Sequence, residues 1–392
     1  MPALNGHDAN EIPEDRRAPG VGAPAMGVDI GEYLEIQGDD DALELEDAND
    51  GIGGSFFKLG PDTERPRGEE GGVFYANLAE SLPESFMQAV ATELLRQIDE
   101  DKEARKKRDE QYEEGIKRTG LGKDAPGGAD FEGASKVVHP MLTEACVDYE
   151  SRVIKELFPP SGPAKEKIVG TVTEEKAERA KRKVEHMNWQ ITTQIVEAFS
   201  VMETTLTQVP LGGSQFIKQW WDHRLGRPRW QFVPIDKVYL PFSAESFNSS
   251  HRRTFVDTLT AVEFQQRIET KQYRDLKLAA PSAPPDPTKA ETANRKVEGL
   301  EDPGLNIDQE REVYEVMSYI EVKDEASDVL SVEEVGKLYP YLISIDVTTK
   351  RVLSWYRDWE KDDDTREPIE HLFEFPFIPW RGAYSIGFPQ II

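Results

Sequence analysis

The spacing of apolar residues changes once along this chain, from a helical period before residue 210 to a strand period after it. Between Phe86 and Ile98 an apolar residue recurs at every fourth position, which places these side chains on one helix face. Between Tyr341 and Ile345 apolar residues occupy every second position, which is typical of a strand with one buried face. Helices that precede a run of strands favour an α+β fold, with long helices and antiparallel β-sheet regions.

Three helices are predicted in the first half of the chain. The first spans residues 81–118, and Ser81-Leu82-Pro83-Glu84 supplies an N-cap, an early proline and a glutamate at its start. Its part from Asp99 onward is almost wholly charged, which indicates a solvated helix with ion pairs between successive turns. The second spans residues 139–157, with Cys146 as a small buried side chain rather than a nucleophile. Its apolar face consists of Leu142, Cys146, Tyr149, Val153 and Leu157.

The third helix is predicted to run without interruption over residues 174–208. At a rise of ~1.5 Å per residue it would reach about 50 Å, which favours an element that contacts a neighbouring subunit. Six strands are predicted after it, and Thr260-Ala261-Val262-Glu263 matches the capping box of a short helix. The strands span residues 214–221, 229–235, 253–259, 313–322, 339–347 and 352–359.

The N-terminal region differs in composition from the rest of the chain. Residues 1–50 contain 14 acidic and two basic residues and show no apolar period. Such a segment cannot bury enough apolar surface to offset its conformational entropy, so residues 1–80 are predicted to be a largely disordered acidic tail. The remainder divides into a helical and β region at 81–278, a proline-rich, linker-like segment at 279–311 and an antiparallel β region at 312–392.

The formal net charge of −27 argues against several classes of function. Tight binding to DNA phosphates or to an anionic membrane surface needs a basic face. A single cysteine rules out an internal disulfide and a cysteine-based zinc site, and no apolar run approaches the ~20 residues that span a bilayer. The six histidines form no paired ligand spacing, and no phosphate-binding loop or nucleophile elbow occurs. The sequence therefore predicts no catalytic residues, no cofactor and no metal.

Several segments resemble one known family when they are taken in their order along the chain. They are residues 131–140 (FEGASKVVHP), 155–160 (KELFPP), 212–218 (GGSQFIK), 230–241 (WQFVPIDKVYLP), 339–346 (YPYLISID) and 377–388 (FIPWRGAYSIGF). These segments look like those of portal proteins, the head-to-tail connectors of short-tailed double-stranded DNA bacteriophages. The resemblance covers roughly residues 130–270 and 312–392. The acidic first 80 residues depart from the family pattern.

The resemblance implies a portal-like wing architecture and a structural role without chemistry of its own. Family members form a homo-oligomeric ring, usually a dodecamer, at one capsid vertex of the virion, through which DNA is packaged and ejected. The implied partners are the terminase large subunit, the major capsid and scaffold protein, a head-to-tail adaptor, and double-stranded DNA that passes without tight binding. The protein would reside in the host cytoplasm during assembly. Because family portals continue into further helices, the apolar ending at Ile392 leads us to expect a truncated chain.

Acidic residues outnumber basic ones by 74 to 47, so local clusters of basic residues are candidate contact sites. Arg252, Arg253, Lys106 and Arg108 are the candidates for residues that face a neighbouring subunit or DNA. Of these two roles, pairing with acidic groups of a neighbouring subunit is the favoured one. Two alternative functions remain open, namely an acidic metal-dependent nuclease and an internal virion or scaffold protein. The nuclease would need two or three carboxylates that converge on a pair of cations.

Overall fold

The computed structural model describes ten stretches of the chain. They are residues 74–119, 140–168, 170–222, 224–281, 283–300, 305–323, 329, 333–361, 363–380 and 382–391. The predicted acidic tail, as far as residue 73, and residues 131–139 of the portal-like segments lie outside the described residues. Within the described residues the chain combines helices with antiparallel sheets, which confirms the predicted α+β class.

Seven α-helices form within the described residues. They are α1 (Glu84–Thr119), α2 (Met141–Leu157), α3 (Glu174–Trp189), α4 (Ala198–Gly212), α5 (Ala261–Glu269), α6 (Lys289–Glu298) and α7 (Phe388–Ile391). Both α5 and α6 begin with a capping box, in which Thr260 pairs with Glu263 and Thr288 pairs with Glu291. The capping box predicted at Thr260 is therefore confirmed.

Eight strands form two antiparallel sheets within the same described residues. The strands are β1 (Ser214–Asp222), β2 (Arg227–Val233), β3 (Val238–Tyr239), β4 (Arg252–Leu259), β5 (Arg311–Glu321), β6 (Leu338–Asp346), β7 (Arg351–Arg357) and β8 (Leu372–Pro376). One sheet has the strand order β2-β1-β8, and the other has the order β3-β4-β5-β6-β7. All six predicted strands are present. Since β1 pairs with β8 and β4 pairs with β5, both sheets combine strands from the predicted regions 81–278 and 312–392.

The first core lies between one face of the five-stranded sheet and the first half of α1. Tyr341, Ile343 and Ile345 of β6 are fully buried there, as their alternation predicted. Side chains from α1, from the short turn before it and from the neighbouring strands complete this core. They include Leu78, Phe86, Leu94, Ile98, Tyr314, Val316 and Trp355. Each large apolar side chain that is buried in this way contributes ~1.5–3 kcal/mol to stability.

The second core lies beside the second half of α1. Tyr112 and Ile116 of α1 join Cys146 of α2, Phe216 of β1 and Phe255 of β4 in this cluster. The burial predicted for the cysteine is confirmed. Because α1 has 36 residues and spans about 54 Å, it reaches both cores and connects the two sheets.

Residues 74–80, which the sequence assigns to the disordered tail, are folded onto the first core. Asn77 accepts a hydrogen bond from the Ala79 amide at 3.0 Å and so caps the 3₁₀ turn Leu78–Glu80. The Asn77 amide group also donates to the Leu353 carbonyl at 3.3 Å, and the Trp355 amide donates to Asn77 at 3.0 Å. The predicted tail boundary at residue 80 is therefore wrong for these residues, because Asn77 ties them to β7.

The predicted continuous helix over residues 174–208 is wrong, because the structure divides it into α3 and α4. A π-helical turn at Gln190–Gln194 follows α3. Ile191, Thr192 and Thr193 are three consecutive β-branched residues, whose side chains are restricted in a helix. The Thr192 hydroxyl also donates to the Asn188 carbonyl at 2.7 Å, a type of contact that bends helices.

The prediction of a solvated helix over residues 99–118 is wrong for the inward face of α1. Asp101, Arg105 and Tyr112 are 6%, 5% and 2% exposed. The outward face does behave as predicted, with pairs between successive turns such as Arg118 to Glu114 at 3.1 Å. The inward charges differ because they bind buried groups of the sheet, as described below.

Two further predictions need correction in the helical parts. The linker-like segment 279–311 contains α6, which packs against α1 and buries Ala290 and Ala293. Small alanine side chains let the two helices approach closely. The helix was not predicted because the segment is rich in proline, which is typical of a linker. In α2, Leu157 is 37% exposed and Ile154 is 9% exposed, so Ile154 takes the buried position that was predicted for Leu157.

Candidate functional site

Arg252 lies inside the subunit, between β4 and α1. Its guanidinium donates to the Asp101 carboxylate at 2.6 Å and to the side-chain oxygen of Gln97 at 2.6 Å. Both partners belong to α1, and only 7% of Arg252 is exposed. Burial raises the pKa of Asp101, although the charge of Arg252 opposes this shift. A residue in this position ties the sheet to the helix, so the predicted role on a subunit or DNA surface is wrong for Arg252.

Arg253 is also buried, but on the opposite side of the same strand. Neighbouring residues of a strand point to opposite faces, which explains why the two arginines do not act together. The guanidinium of Arg253 lies over the ring of Phe247 at 5.3 Å from its centre. Burial lowers the pKa of Arg253, while the nearby carboxylates of Asp358 and Glu370 oppose that shift. The predicted surface role is wrong for this arginine too, since 5% of it is exposed.

Lys106 and Arg108 lie two residues apart on α1 and have different surroundings. Lys106 is exposed and pairs with Glu103 at 3.1 Å. Arg108 is partly buried and donates to the carbonyls of Gly212, at 2.9 Å, and Ser385, at 2.5 Å. Burial, together with the charge of Arg105, lowers the pKa of Arg108 to about 10. Of the four candidate residues, Lys106 alone faces solvent, and the four do not form one surface.

Arg108 donates hydrogen bonds to two backbone segments that approach each other closely, one at the end of α4 and the other just before α7. Gly213 follows α4 with a φ angle of +82°, a conformation that favours glycine. A Cβ atom on Gly213 would collide with the carbonyl oxygen of Ser385 and with the amide nitrogen of Gly387. The portal-like segments at 212–218 and 377–388 are therefore in contact here, where Phe377 also donates its amide to Gly213 at 2.7 Å.

A network of buried charges joins the two sheets, and the sequence analysis did not identify it. Glu315 of β5 pairs with Lys218 of β1 at 2.5 Å and with Arg267 of α5 at 3.2 Å. Arg267 also binds Asp257 of β4 at 2.6 Å and donates to the Tyr273 hydroxyl at 2.6 Å. Burial would raise the pKa of Glu315, but Lys218 and Arg267 outweigh it and lower the pKa to about 2. The charges pair with one another, so this network stabilises the fold and offers no free acid or base.

The only sequence signal for this network was a charged residue at an inward position of a strand. Glu315 alternates with apolar residues of β5 and lies directly opposite Phe255 of β4. An isolated charge at such a position could equally mark a solvated strand face. Its partners come from elements that are distant in sequence, and a single sequence does not show which lysine or arginine will reach it.

Several large apolar side chains of the helical part are exposed. Seven large apolar side chains between residues 141 and 199 are exposed, and we call them the apolar band. They are Met141, Val147, Leu157, Val172, Trp189, Val196 and Phe199. Exposed apolar side chains mark interaction sites in soluble proteins where they adjoin one another.

Helix α3 lies within the apolar band and has an unusual environment. None of its 16 residues is buried, although Thr173 caps its start by accepting from the Lys176 amide at 3.3 Å. Four basic residues are exposed over five positions. They are Arg179, Lys181, Arg182 and Lys183. This basic run is visible in the sequence, but the sequence analysis interpreted these residues only as part of one long helix with an apolar stripe.

A cleft of about 390 Å³ opens at one end of the five-stranded sheet. Its walls come from β5, from β6 and from the segment after β7. They include Tyr319, Leu338, Tyr339, Asp364, Arg366 and Glu367. Arg366 lies over the Tyr339 ring at 4.4 Å and pairs with Glu333 at 2.9 Å, so this arginine is already neutralised. The charged residues of the wall are balanced, since Lys337 and Arg366 accompany Asp364 and Glu367.

Within the described part of the chain, no group of three or more His, Cys, Asp or Glu side chains could hold a metal ion, and no helix could cross a membrane. Burial raises the pKa of the Cys146 thiol to about 11, so this thiol is protonated at neutral pH. Comparison of the chain with models of protein families and with curated proteins gives no match.

Proposed function

We propose that this chain is a structural subunit of a phage portal, the ring at one capsid vertex through which DNA is packaged and ejected. The ordered portal-like segments of the sequence support this proposal. In the virion the ring would be homo-oligomeric, with a dodecamer as the expected form. Its expected partners are the terminase large subunit, the major capsid and scaffold protein, a head-to-tail adaptor and DNA that passes without tight binding. Assembly would take place in the host cytoplasm, and the helices and sheets would form the wing region.

The observation that carries the proposal is the apolar band. A free subunit would leave these seven large side chains in water, and packing against neighbouring subunits would cover them. An enzyme that works as a monomer has no need of such a surface. A ring subunit needs two different contact surfaces, because head-to-tail contacts that close by rotation build a ring.

The distribution of charge also favours a conduit over a DNA-binding enzyme. Arg105, Arg252 and Arg253 are at least nine-tenths buried, so these cations cannot neutralise DNA phosphates. The net charge of −27 leaves an acidic protein that repels the DNA backbone and lets it slide. No observation favours a metal-dependent nuclease or an internal scaffold protein over this interpretation.

The test of this proposal is the oligomeric state of the purified full-length protein in solution. We expect mass photometry to give an oligomer and negative-stain images to give closed rings with a central channel. Duplex DNA should bind weakly even at low salt, and neither DNA nor ATP should be cleaved. A monomer at micromolar concentration would refute the proposal. Magnesium-dependent DNA cleavage that a single Asp→Asn substitution removes would establish the nuclease instead.

A further inference from the structure

Residues 159–168 and helix α3 lie outside both cores. Within the described residues, none of the 16 residues of α3 is buried, and the only helix or strand that packs broadly against α3 is the π-helical turn that follows it. We call residues 159–168 and α3 the arm, and the two cores with their sheets the body. The half-buried apolar side chains of α3 share one face. They are Ala177, Ala180, Val184 and Met187.

The arm has hydrogen bonds of its own that hold its two parts together. Asn188, near the end of α3, accepts from the Ala164 amide at 2.8 Å and donates to the Ala164 carbonyl at 3.3 Å. A Cβ atom on Gly162 would collide with the Asn188 side chain, so the backbone passes close to the helix there. Because these contacts lie wholly within the arm, the arm can keep its shape when it moves as a unit.

The chain enters and leaves the arm at two neighbouring points. Phe158, directly after α2, precedes the arm, and the π-helical turn Gln190–Gln194 follows it. The ring of Phe158 lies edge-on to the ring of Phe199, near the start of α4, with 5.6 Å between the ring centres. The two connections therefore lie side by side, which is the arrangement of a hinge rather than of an element held at both ends.

The body side of this joint is fixed. Ile191 and Ile195 are 4% and 1% exposed. Glu197, just before α4, accepts from Arg227 at 2.8 Å and from Arg229 at 3.1 Å, and these contacts tie the start of α4 to β2. A change in the direction of the arm must therefore be taken up within the π-helical turn.

The π-helical turn interrupts the helical path between the arm and α4. The Ile195 amide donates to the Gln190 carbonyl at 2.8 Å, five residues back, and Ile195 leaves the helix with a ψ angle of 81°. Single π-helical turns cause kinks in helices and are frequent at functional sites. Thr192 and Thr193 disfavour the unbroken α-helix that would otherwise join α3 to α4.

We infer that the arm swings as one unit about the joint formed by Phe158 and the π-helical turn, so that α3 changes its direction relative to the body. This inference goes beyond the proposed function, because every contact that carries it lies within one chain. At a rise of ~1.5 Å per residue, Lys176 lies about 20 Å along α3 from Trp189. A swing of about 20° would therefore displace Lys176 by about 7 Å.

Distances between pairs of spin labels on the full-length protein test the swing. Thr92, Lys107 and Lys176 are exposed positions for cysteine, and the native Cys146 is buried. Lys176→Cys with Lys107→Cys reports the arm against the body, whereas Thr92→Cys with Lys107→Cys reports two sites about 22 Å apart along α1. Labelled chains are mixed with an excess of unlabelled chains, so that an assembly carries one label pair. The distance distribution of the arm pair should be at least about twice as wide as that of the α1 pair.

A variant of the joint locates the swing. Thr192→Ala with Thr193→Ala removes two β-branched residues and the hydroxyl contact to the Asn188 carbonyl, so an unbroken α-helix becomes more favourable. This variant should shift the mean distance of the arm pair by about 5 Å or more and narrow its distribution. The matched control is Thr204→Ala with Thr207→Ala in α4, whose hydroxyls also donate to carbonyls four residues back. This control should leave the distance of the arm pair unchanged.

Each outcome decides for or against the swing. A distribution for the arm pair as narrow as that of the α1 pair would overturn the inference, and so would a joint variant that changes neither the mean nor the width. A broad distribution in which the α3 amides exchange their hydrogens as fast as an unfolded chain would show unfolding instead, whereas protected α3 amides support a swing. A wild-type chain that stays monomeric would refute the portal proposal and leave this inference standing.

Discussion

Helices α1 and α3 both contain many charged residues, but the structure buries charged residues of α1 and none of α3. Both contain a run of alternating basic and acidic residues that is typical of a solvated helix. Helix α1 buries Asp101 and Arg105 in this run, whereas α3 buries none of its 16 residues. The difference teaches that a charged run does not decide burial. The decisive factor is whether the rest of the chain presents groups that need a charged partner.

For α1 those groups lie in the turn between β2 and β3. Arg105 donates to the carbonyls of Ile235 at 2.8 Å and Asp236 at 3.1 Å, and also to that of Val238. Its guanidinium further pairs with Asp109 at 2.9 Å. One side chain thus donates to three carbonyls, of which that of Ile235 also accepts from the Val238 amide and that of Val238 also accepts from the Tyr384 hydroxyl. Among the described residues, none forms an ion pair with the basic residues of α3, so these charges are exposed to solvent.

Reversal of a buried charge beside α1 should have the largest effect on stability. Arg252→Glu would place a carboxylate against Asp101 in a site that is less than one-tenth exposed. Removing one partner of a buried pair costs about 3–5 kcal/mol, and the reversal adds repulsion. We expect loss of the cooperative unfolding transition in urea, or failure to obtain folded protein.

The matched control for Arg252→Glu is Lys106→Glu, on the exposed side of the same helix, which should change stability by less than ~1 kcal/mol. An Arg252→Glu chain that folds normally but fails to form rings would contradict the internal placement of Arg252. That result would return this residue to a subunit surface.

Replacement of Arg105 by methionine should have the next largest effect. Arg105→Met keeps most of the side-chain volume and removes the donors to three backbone carbonyls. The carbonyls of Ile235 and Val238 keep other donors, whereas the Asp236 carbonyl loses the Arg105 donor and Asp109 loses its ion-pair partner. A buried polar group left without its partner costs ~1–3 kcal/mol. We expect a loss of about 3 kcal/mol in the free energy of unfolding, measured by urea denaturation. Lys107→Met, two positions along the helix, should leave this free energy nearly unchanged.

The two helices also show how far the sequence could predict this fold. The strand alternation of β6 and β7, the capping box at Thr260 and the apolar stripe from Phe86 to Ile98 could all be recognised in the sequence. Each of these features depends on residues that lie within one element. The sequence-based predictions therefore identified the α+β class and the six longer strands correctly.

Features that depend on distant partners could not be predicted in the same way. The pairing of Arg252 with Asp101 joins residues 151 positions apart, and that of Lys218 with Glu315 joins residues 97 apart. Nothing in either local sequence distinguishes these buried charges from exposed ones such as Lys106. The candidate site was misplaced for that reason, while the basic run of α3 went unnoticed because a long helix was expected there.

A change of pH tests the contribution of the buried Glu315 carboxylate to stability. Its pKa is lowered from the ordinary value of 4.5 to about 2 in the folded chain. A carboxylate with a lowered folded pKa stabilises the fold above its unfolded pKa and loses that contribution as the pH falls towards the folded value. Between pH 5 and pH 3 we therefore expect the wild-type free energy of unfolding to decline, with a share from Glu315 on the order of 2 kcal/mol.

The contribution of Glu315 is the difference in the free energy of unfolding between the wild type and Glu315→Gln, measured by urea denaturation at each pH. That difference should shrink as the pH falls, because protonation removes the charge from the wild type as well. Glu103→Gln, on the exposed face of α1, should show a small difference that does not change with pH. A constant difference between wild type and Glu315→Gln from pH 5 to pH 3 would show that this carboxylate is not held in its charged form.

The smallest expected effect concerns α3 and completes the comparison. Arg182→Ala and Lys183→Ala remove exposed charges that contact no other described side chain, and alanine favours a helix slightly more than either residue. We expect the free energy of unfolding of the subunit to change by less than about 0.5 kcal/mol, measured by urea denaturation at high salt. Salt is needed because it weakens contacts between subunits, so that the measurement reports the single chain. A loss larger than about 1 kcal/mol would mean that α3 is covered within its own subunit, and the contrast with α1 would then disappear.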